Sequence, residues 1–136
     1  MKSTVSLFTL LFLGFLIIGG CTEKENTADP ESPRDAFIGR WSVSETWTKL
    51  SYEVQISADP GSSDGVFISN FGNLGSSSTP AGAYVSSTSI TLDSDQIISG
   101  FTINGSGYLS KSKIYWNYTM NDGATLIQAV AVYTKQ

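Results

Sequence analysis

Two-residue alternation dominates the chain from residue 37 onward. Ile114, Trp116, Tyr118 and Met120 alternate with Lys113, Tyr115, Asn117 and Thr119, the period of a strand that buries one face. Tyr52, Val54 and Ile56 alternate in the same way with Ser51, Glu53 and Gln55. Gly39, Trp41, Val43 and Trp47 share one parity, and Glu45 shares it too. A carboxyl on that face lies near an open end or is buried with a partner. Two runs leave their inward face open. Val66 and Ile68 compete with Phe67 and Phe71, and Leu126, Val130 and Val132 compete with Ile127, Ala129, Ala131 and Tyr133. The pattern predicts strands over 38–49, 51–58, 65–71, 82–87, 89–93, 97–104, 110–120 and 124–134. The breaks between them are rich in Gly, Ser, Asn and Asp. Asn121-Asp122-Gly123 reads as a tight hairpin loop, because these residues tolerate positive φ. The one long connection runs from Gly72 to Ala81, with a Ser run and Pro80. Such a loop forms a functional rim or a plain spacer. Successive short hairpins predict an all-β fold, a small up-and-down antiparallel β-barrel of about eight strands, with a β-sandwich as the alternative. Barrel closure also removes exposed strand edges.

The first 36 residues do not share this pattern. Lys2 precedes an apolar run from Val5 to Ile18. That run is shorter than the ~20 residues needed to cross a bilayer and has the layout of a secretory signal. Ile18-Gly19-Gly20-Cys21 resembles a bacterial lipobox. The resemblance implies diacylglycerol on the Cys21 sulfur and cleavage before that residue. Residues 1–20 then form a lipoprotein signal peptide and residues 21–36 a lipidated Cys with an acidic flexible tether. That tether contains Pro30 and Pro33 and no large apolar residue. Residues 37–136 form the barrel domain. The acidic start Thr22-Glu23-Lys24-Glu25 resembles the surface-export signals of Bacteroidota lipoproteins. The expected location is the cell envelope, at the outer membrane, with the periplasmic or surface face left open.

Composition then removes function classes. The 136-residue chain contains no histidine and one cysteine. Ser-His-Asp and Cys-His sites, His-ligated zinc and an internal disulfide are therefore unavailable. A pI near 4.5 argues against a phosphate-backbone binder, so no nucleic-acid partner is expected. Ser110-Lys111-Ser112-Lys113 fits the S-x-x-K acylation motif, but it precedes a strand rather than opening a helix. Asp93-Ser94-Asp95 and the stretch 59–64 are too few oxygens for a calcium cage and read as turn formers. Gly105-Ser106-Gly107 lacks the strand-to-helix context of a dinucleotide loop and reads as a bulge or turn. The chain is expected to be no enzyme and to need no cofactor or metal.

Phe37-Ile38-Gly39-Arg40-Trp41 resembles the Gly-x-Trp opening of lipocalin-like (calycin) barrels. Together with Ile68-Ser69-Asn70-Phe71, Ser89-Ile90-Thr91-Leu92 and Val132-Tyr133-Thr134-Lys135, it also resembles small Bacteroidota lipoproteins of unknown role. The resemblance implies that Trp41 packs across the closed end of the barrel and that Lys135 takes the place of a late basic residue packed on it. Trp41, Trp47, Trp116 and Tyr118 lie on inward parities. They line a ligand site or fill the core, and filling is favoured because an eight-stranded barrel is only just wide enough for its own side chains. The functional expectation is a monomeric, membrane-anchored, non-catalytic envelope lipoprotein. It binds a small apolar or glycan ligand in or at the mouth of the barrel. The alternative is a structural or interaction protein of the cell surface.

Overall fold

A computed structural model describes residues 32–136 of the chain. The signal segment, Cys21 and the tether through residue 31 lie outside the described residues. Nine strands follow one another among the described residues: β1 (Gly39–Glu45), β2 (Ser51–Ala58), β3 (Gly65–Ser69), β4 (Ala81–Ser86), β5 (Ser89–Leu92), β6 (Gln96–Ile98), β7 (Phe101–Ser110), β8 (Lys113–Asn121) and β9 (Leu126–Lys135). Strands adjacent in the chain pair antiparallel except β5 and β6, β1 also pairs with β9, and β5 pairs with β7. β5 and β6 lie end to end along β7, opposite Gly107 and Ile103 respectively. They fill one position of an eight-stranded closed barrel. The break between them is bridged by the Gln96 side chain. Its amide nitrogen donates to the Gly82 carbonyl of β4 at 2.7 Å, and its oxygen accepts from the Gly82 N–H at 2.8 Å. A side-chain amide thus substitutes for a missing peptide in the ladder.

The alternation read from the sequence is the inside and outside of this barrel. In β8 the order is exposed Lys113, buried Ile114, half-buried Tyr115, buried Trp116. The two ambiguous runs resolve: Val66 and Ile68 face in, as do Ala129, Ala131 and Tyr133, whereas Leu126 and Val130 face solvent. Several boundaries differ from the sequence pattern: the strand expected over 65–71 stops at Ser69, and the one expected over 110–120 starts at Lys113 because Ser110 ends β7. β1 stops at Glu45, because residues 46–50 turn and Lys49 takes φ 55°. The single strand expected over 97–104 is split by a turn at Ser99-Gly100, both with positive φ. Gly105-Ser106-Gly107, expected as a bulge or turn, lies inside β7. A further segment, Pro33–Ala36, expected within the tether, forms a short 3₁₀ turn. Arg34 Nη1 donates there to the carbonyls of Asp59 (3.3 Å), Ser62 and Gly65 (3.2 Å).

The strand directions define two ends. Turns 59–64, 87–88 and 111–112 close one end with the N-terminal 3₁₀ turn and the C-terminus. Turns 46–50, 70–80, 99–100 and 122–125 surround the other, the mouth. Trp41, Trp116, Tyr133, Phe37, Phe71 and Met120 are among the side chains buried to under 2% exposure between them. Two concavities, of about 560 and 250 Å³, lie on the outer wall. The larger is formed around Asn104, Asn117, Thr119 and Gln128, and the smaller around Arg40, Glu53 and Asn70.

Candidate functional site

The polar centre of the interior lies at the mouth end of β1. Glu45 is 6% exposed, a buried carboxyl in an apolar core. Such a group is costly to bury unless its oxygens are satisfied. Here hydroxyls satisfy them. Thr48 Oγ1 donates to Oε1 at 2.9 Å and Tyr52 Oη to Oε2 at 2.8 Å, and Tyr118 Oη also donates to Oε2. β2 supplies Tyr52, the turn after β1 supplies Thr48, and β8 supplies Tyr118 from across the sheet. Ala131 lies opposite Glu45 and Ala129 opposite Tyr118. These small residues on the intervening β9 leave the space through which the Tyr118 ring reaches the carboxylate. On the other flank, Gly105 lies opposite Tyr118 and Gly107 opposite Trp116. A Cβ at Gly105 would come within 2.5 Å of Asn117 O and of Tyr118 Cβ, and one at Gly107 within 3.0 Å of the Trp116 ring. The Gly-Ser-Gly run is a clearance for two large rings.

The cluster's electrostatics follow from burial. The Tyr118 phenol is pushed well above its ordinary value, first by burial, then by its hydrogen bond to Glu45 and that group's charge. Tyr52 and Trp47 beside it oppose the rise. Tyr52 moves up by burial and by the neighbouring Tyr133, Tyr118 and Glu45. Tyr133 moves up by burial, then by Tyr118 and Glu45. All three phenols therefore keep their protons across the physiological range. Tyr133 Oη and Trp116 Nε1 are buried donors without a hydrogen-bond partner among the described residues. Their rings stand 5.7 Å apart.

The four aromatic residues singled out by parity do not form one site. Tyr118 belongs to the Glu45 cluster. Trp116 lies a layer deeper, joined to Tyr118 by Phe71, which meets the two rings edge-on at 5.6 and 4.8 Å. Trp47 falls beyond the end of β1 and is 37% exposed, on the rim rather than inside. Trp41 lies at the closed end. Its indole N–H donates to Phe37 O at 2.8 Å, and Lys135 Nζ sits 4.7 Å above its ring. Gly39 leaves room for that lysine, since a Cβ there would meet Nζ at 3.3 Å. Burial lowers the Lys135 pKa, and Nζ also donates to Ile38 O.

The sequence pattern singled out Glu45 and Tyr118 separately but not their pairing, nor Thr48 and Tyr52 as partners of Glu45. The signal was available in part: Tyr52 and Glu45 both hold inward parities near the 46–50 turn. The periodic pattern puts Phe71 in parity with Phe67 at the end of a strand over 65–71, whereas β3 stops at Ser69 and Phe71 is buried from a 3₁₀ turn, Phe71–Asn73, held by positive φ at Asn70 and Gly72. Asn70 fixes that turn, donating to Glu53 O and accepting from Gly75 N, each at 2.9 Å. Ser78 Oγ bonds Leu74 O at 2.8 Å and lies 2.9 Å from Ser99 Oγ. The long connection is therefore a strap that places Phe71 in the barrel. No protein family, curated protein or solved structure was found to match this chain.

Proposed function

We propose that the chain is a non-catalytic, lipid-anchored envelope protein of the outer membrane, whose barrel engages a small apolar or glycan ligand at its mouth. The carrying observation is the Glu45 carboxylate held by Thr48, Tyr52 and Tyr118, with half-exposed Trp47 beside it. A carboxylate and hydroxyls next to an aromatic face combine polar and apolar recognition in one place, as ligand sites do. The filled interior speaks for the mouth over the lumen. Lys135 over Trp41 fits the arrangement that the lipocalin-like resemblance implies. Ile18-Gly19-Gly20-Cys21 supports the anchor. Two or three acyl chains on one Cys supply far more membrane affinity than the single chain that holds only marginally.

Two measurements test this. Cys21→Ala should move the protein from the membrane to the soluble fraction, and retention in the membrane refutes the anchor. Native mass spectrometry of the full chain isolated from its own envelope should show a retained small molecule that Trp47→Ala releases. A bare mass in the wild type refutes mouth binding. A second reading, an interaction protein of the cell surface, is favoured by the outer wall. Tyr108 and Tyr115 stack there at 5.2 Å, with Val130 and Leu126 also exposed. Surface crosslinking that recovers a protein partner would favour it.

A further inference from the structure

Charge is divided between the two ends of the barrel. The mouth-side half carries Glu45, Asp93, Asp95 and Asp122 against Lys49. At the closed end Arg40 follows Gly39 at the start of β1, Lys111 lies in the β7–β8 turn, Lys113 opens β8 and Lys135 ends β9. These elements are neighbours. Lys113 lies opposite Thr134, Lys135 opposite Trp41, and the Gln136 N–H donates to Arg40 O at 3.1 Å. Four cations therefore share one rim across β8, β9 and β1. Lys111 and Lys113 are exposed. Arg40 has one long ion pair, 3.9 Å to Glu53, with both side chains over half exposed. The acids of this end, Asp59 and Asp64, lie on the β2–β3 turn beneath Arg34, with Asp35 on the 3₁₀ turn. Asp35 adjoins Ala36, whose carbonyl accepts from Lys135 Nζ, and Glu53 faces Arg40, which leaves Lys111 and Lys113 as the rim cations without an ion pair among the described residues.

The chain enters at this same end. Pro33–Ala36 lies there, and Arg34 fixes it to the β2–β3 turn. From Cys21 to Ser32 the chain advances by eleven residues, a reach of at most about 40 Å when fully extended. An anchor at Cys21 thus holds the chain's entry point, at the closed end, within about 40 Å of the bilayer.

We propose that the Arg40, Lys111, Lys113 and Lys135 rim is a docking surface for anionic lipid headgroups. It stands the barrel on the membrane that anchors it, mouth outward. This rests on the lipid-anchor reading above. Each cation near an anionic surface raises the surface-bound population roughly fivefold, and the effect dies within a Debye length of about 8 Å at physiological salt. Lys135 already has its ammonium on Trp41 and Ile38 O, and Arg40 faces Glu53, so Lys111 and Lys113 carry most of the attraction.

The test uses the lipidated full chain in vesicles of phosphatidylcholine alone or mixed with phosphatidylglycerol. A donor dye sits on Ser112→Cys at the closed end or Thr125→Cys at the mouth, and an acceptor dye on the headgroups. Energy transfer from position 112 should rise in phosphatidylglycerol vesicles and that from 125 should not. K111Q/K113Q should reduce the docked-to-undocked ratio roughly 25-fold, two charges at about fivefold each. High salt should do likewise. Equal transfer from 112 in both vesicle types, or indifference to K111Q/K113Q, overturns the docking while leaving the anchor intact. A protein that washes off phosphatidylcholine vesicles overturns the anchor itself, and the docking with it.

Discussion

Replacing Glu45 by alanine tests whether the buried carboxylate organises the mouth. Three hydroxyls donate to it, and Tyr118, one of those donors, is only 3% exposed. A hydrogen bond to a charged acceptor is worth about 1.5–3 kcal/mol, and a buried donor left without a partner costs about 1–3 kcal/mol. Removing the carboxylate also relieves its own burial penalty, several kcal/mol in size. The balance for E45A is a loss of about 2–4 kcal/mol, or roughly 10–25 °C in Tm for a domain of this size. Y118F should cost about 1.5–3 kcal/mol, because Glu45 loses one donor and keeps two. E45A/Y118F should then be less damaging than the sum by about 1–2 kcal/mol, since no Tyr118 donor remains to be orphaned. Urea and thermal unfolding of the full chain, followed by circular dichroism, would measure all three. Additivity within about 0.5 kcal/mol, or an E45A protein as stable as wild type, would refute the account.

Alkaline pH and two glycines give further tests. The folded pKa values of Tyr52, Tyr118 and Tyr133 all lie above the ordinary 10.0, chiefly through burial. Below pH 10 both folded and unfolded chains hold these protons, and the stabilisation is complete. Above it only the unfolded chain releases them, so stability should fall by about 4 kcal/mol per pH unit for the three together. Urea midpoints from about pH 9 to 12 would show it, and Y118F should remove about a third of the slope. Gly105→Ala should cost at least about 3 kcal/mol or prevent folding, because its Cβ meets backbone atoms at 2.5 and 2.6 Å. Gly100→Ala, with φ 84° and no atom within 4 Å, should cost only about 1–2 kcal/mol. Similar unfolding midpoints for the two variants would contradict the clearance role of Gly105.

The sequence was most legible where a strand buries one face. β2 and β8 could be read residue by residue, because polar and apolar positions alternate without interruption. Legibility failed where local chemistry, not periodicity, decides the path. Nothing in the pattern distinguishes Trp47 from Trp41, since both share a parity. The difference is that the strand turns at residue 46 and carries Trp47 to the rim. Gly105 and Gly107 read as a turn because glycine usually marks one. Here the large residues opposite them on β8 need the space, a pairing visible only once β7 and β8 are in register. Glu45 was half legible: its parity announced a buried or rim carboxyl, while its partners came from 3, 7 and 73 residues away.

The long-range partner Tyr118 bears on where the proposed ligand would be held. A barrel of eight positions has room for side chains or for a small guest, not for both. This chain fills the lumen with Trp41, Trp116 and Tyr133 and lets the 70–80 strap insert Phe71 on top. Binding deep inside would require Phe71 to leave its edge-on contacts with Trp116 and Tyr118, and Asn70 to release the Glu53 carbonyl. Binding at the rim needs neither. It needs only that Glu45 and its hydroxyls be held still beside Trp47, and three elements of a closed sheet hold them. On this view the packed interior is the rigid support that positions the rim, and Phe71→Ala provides the discriminating variant. If the lumen is the site, opening it should strengthen retention of the native ligand; if the rim is the site, Phe71→Ala should weaken retention by loosening Tyr118.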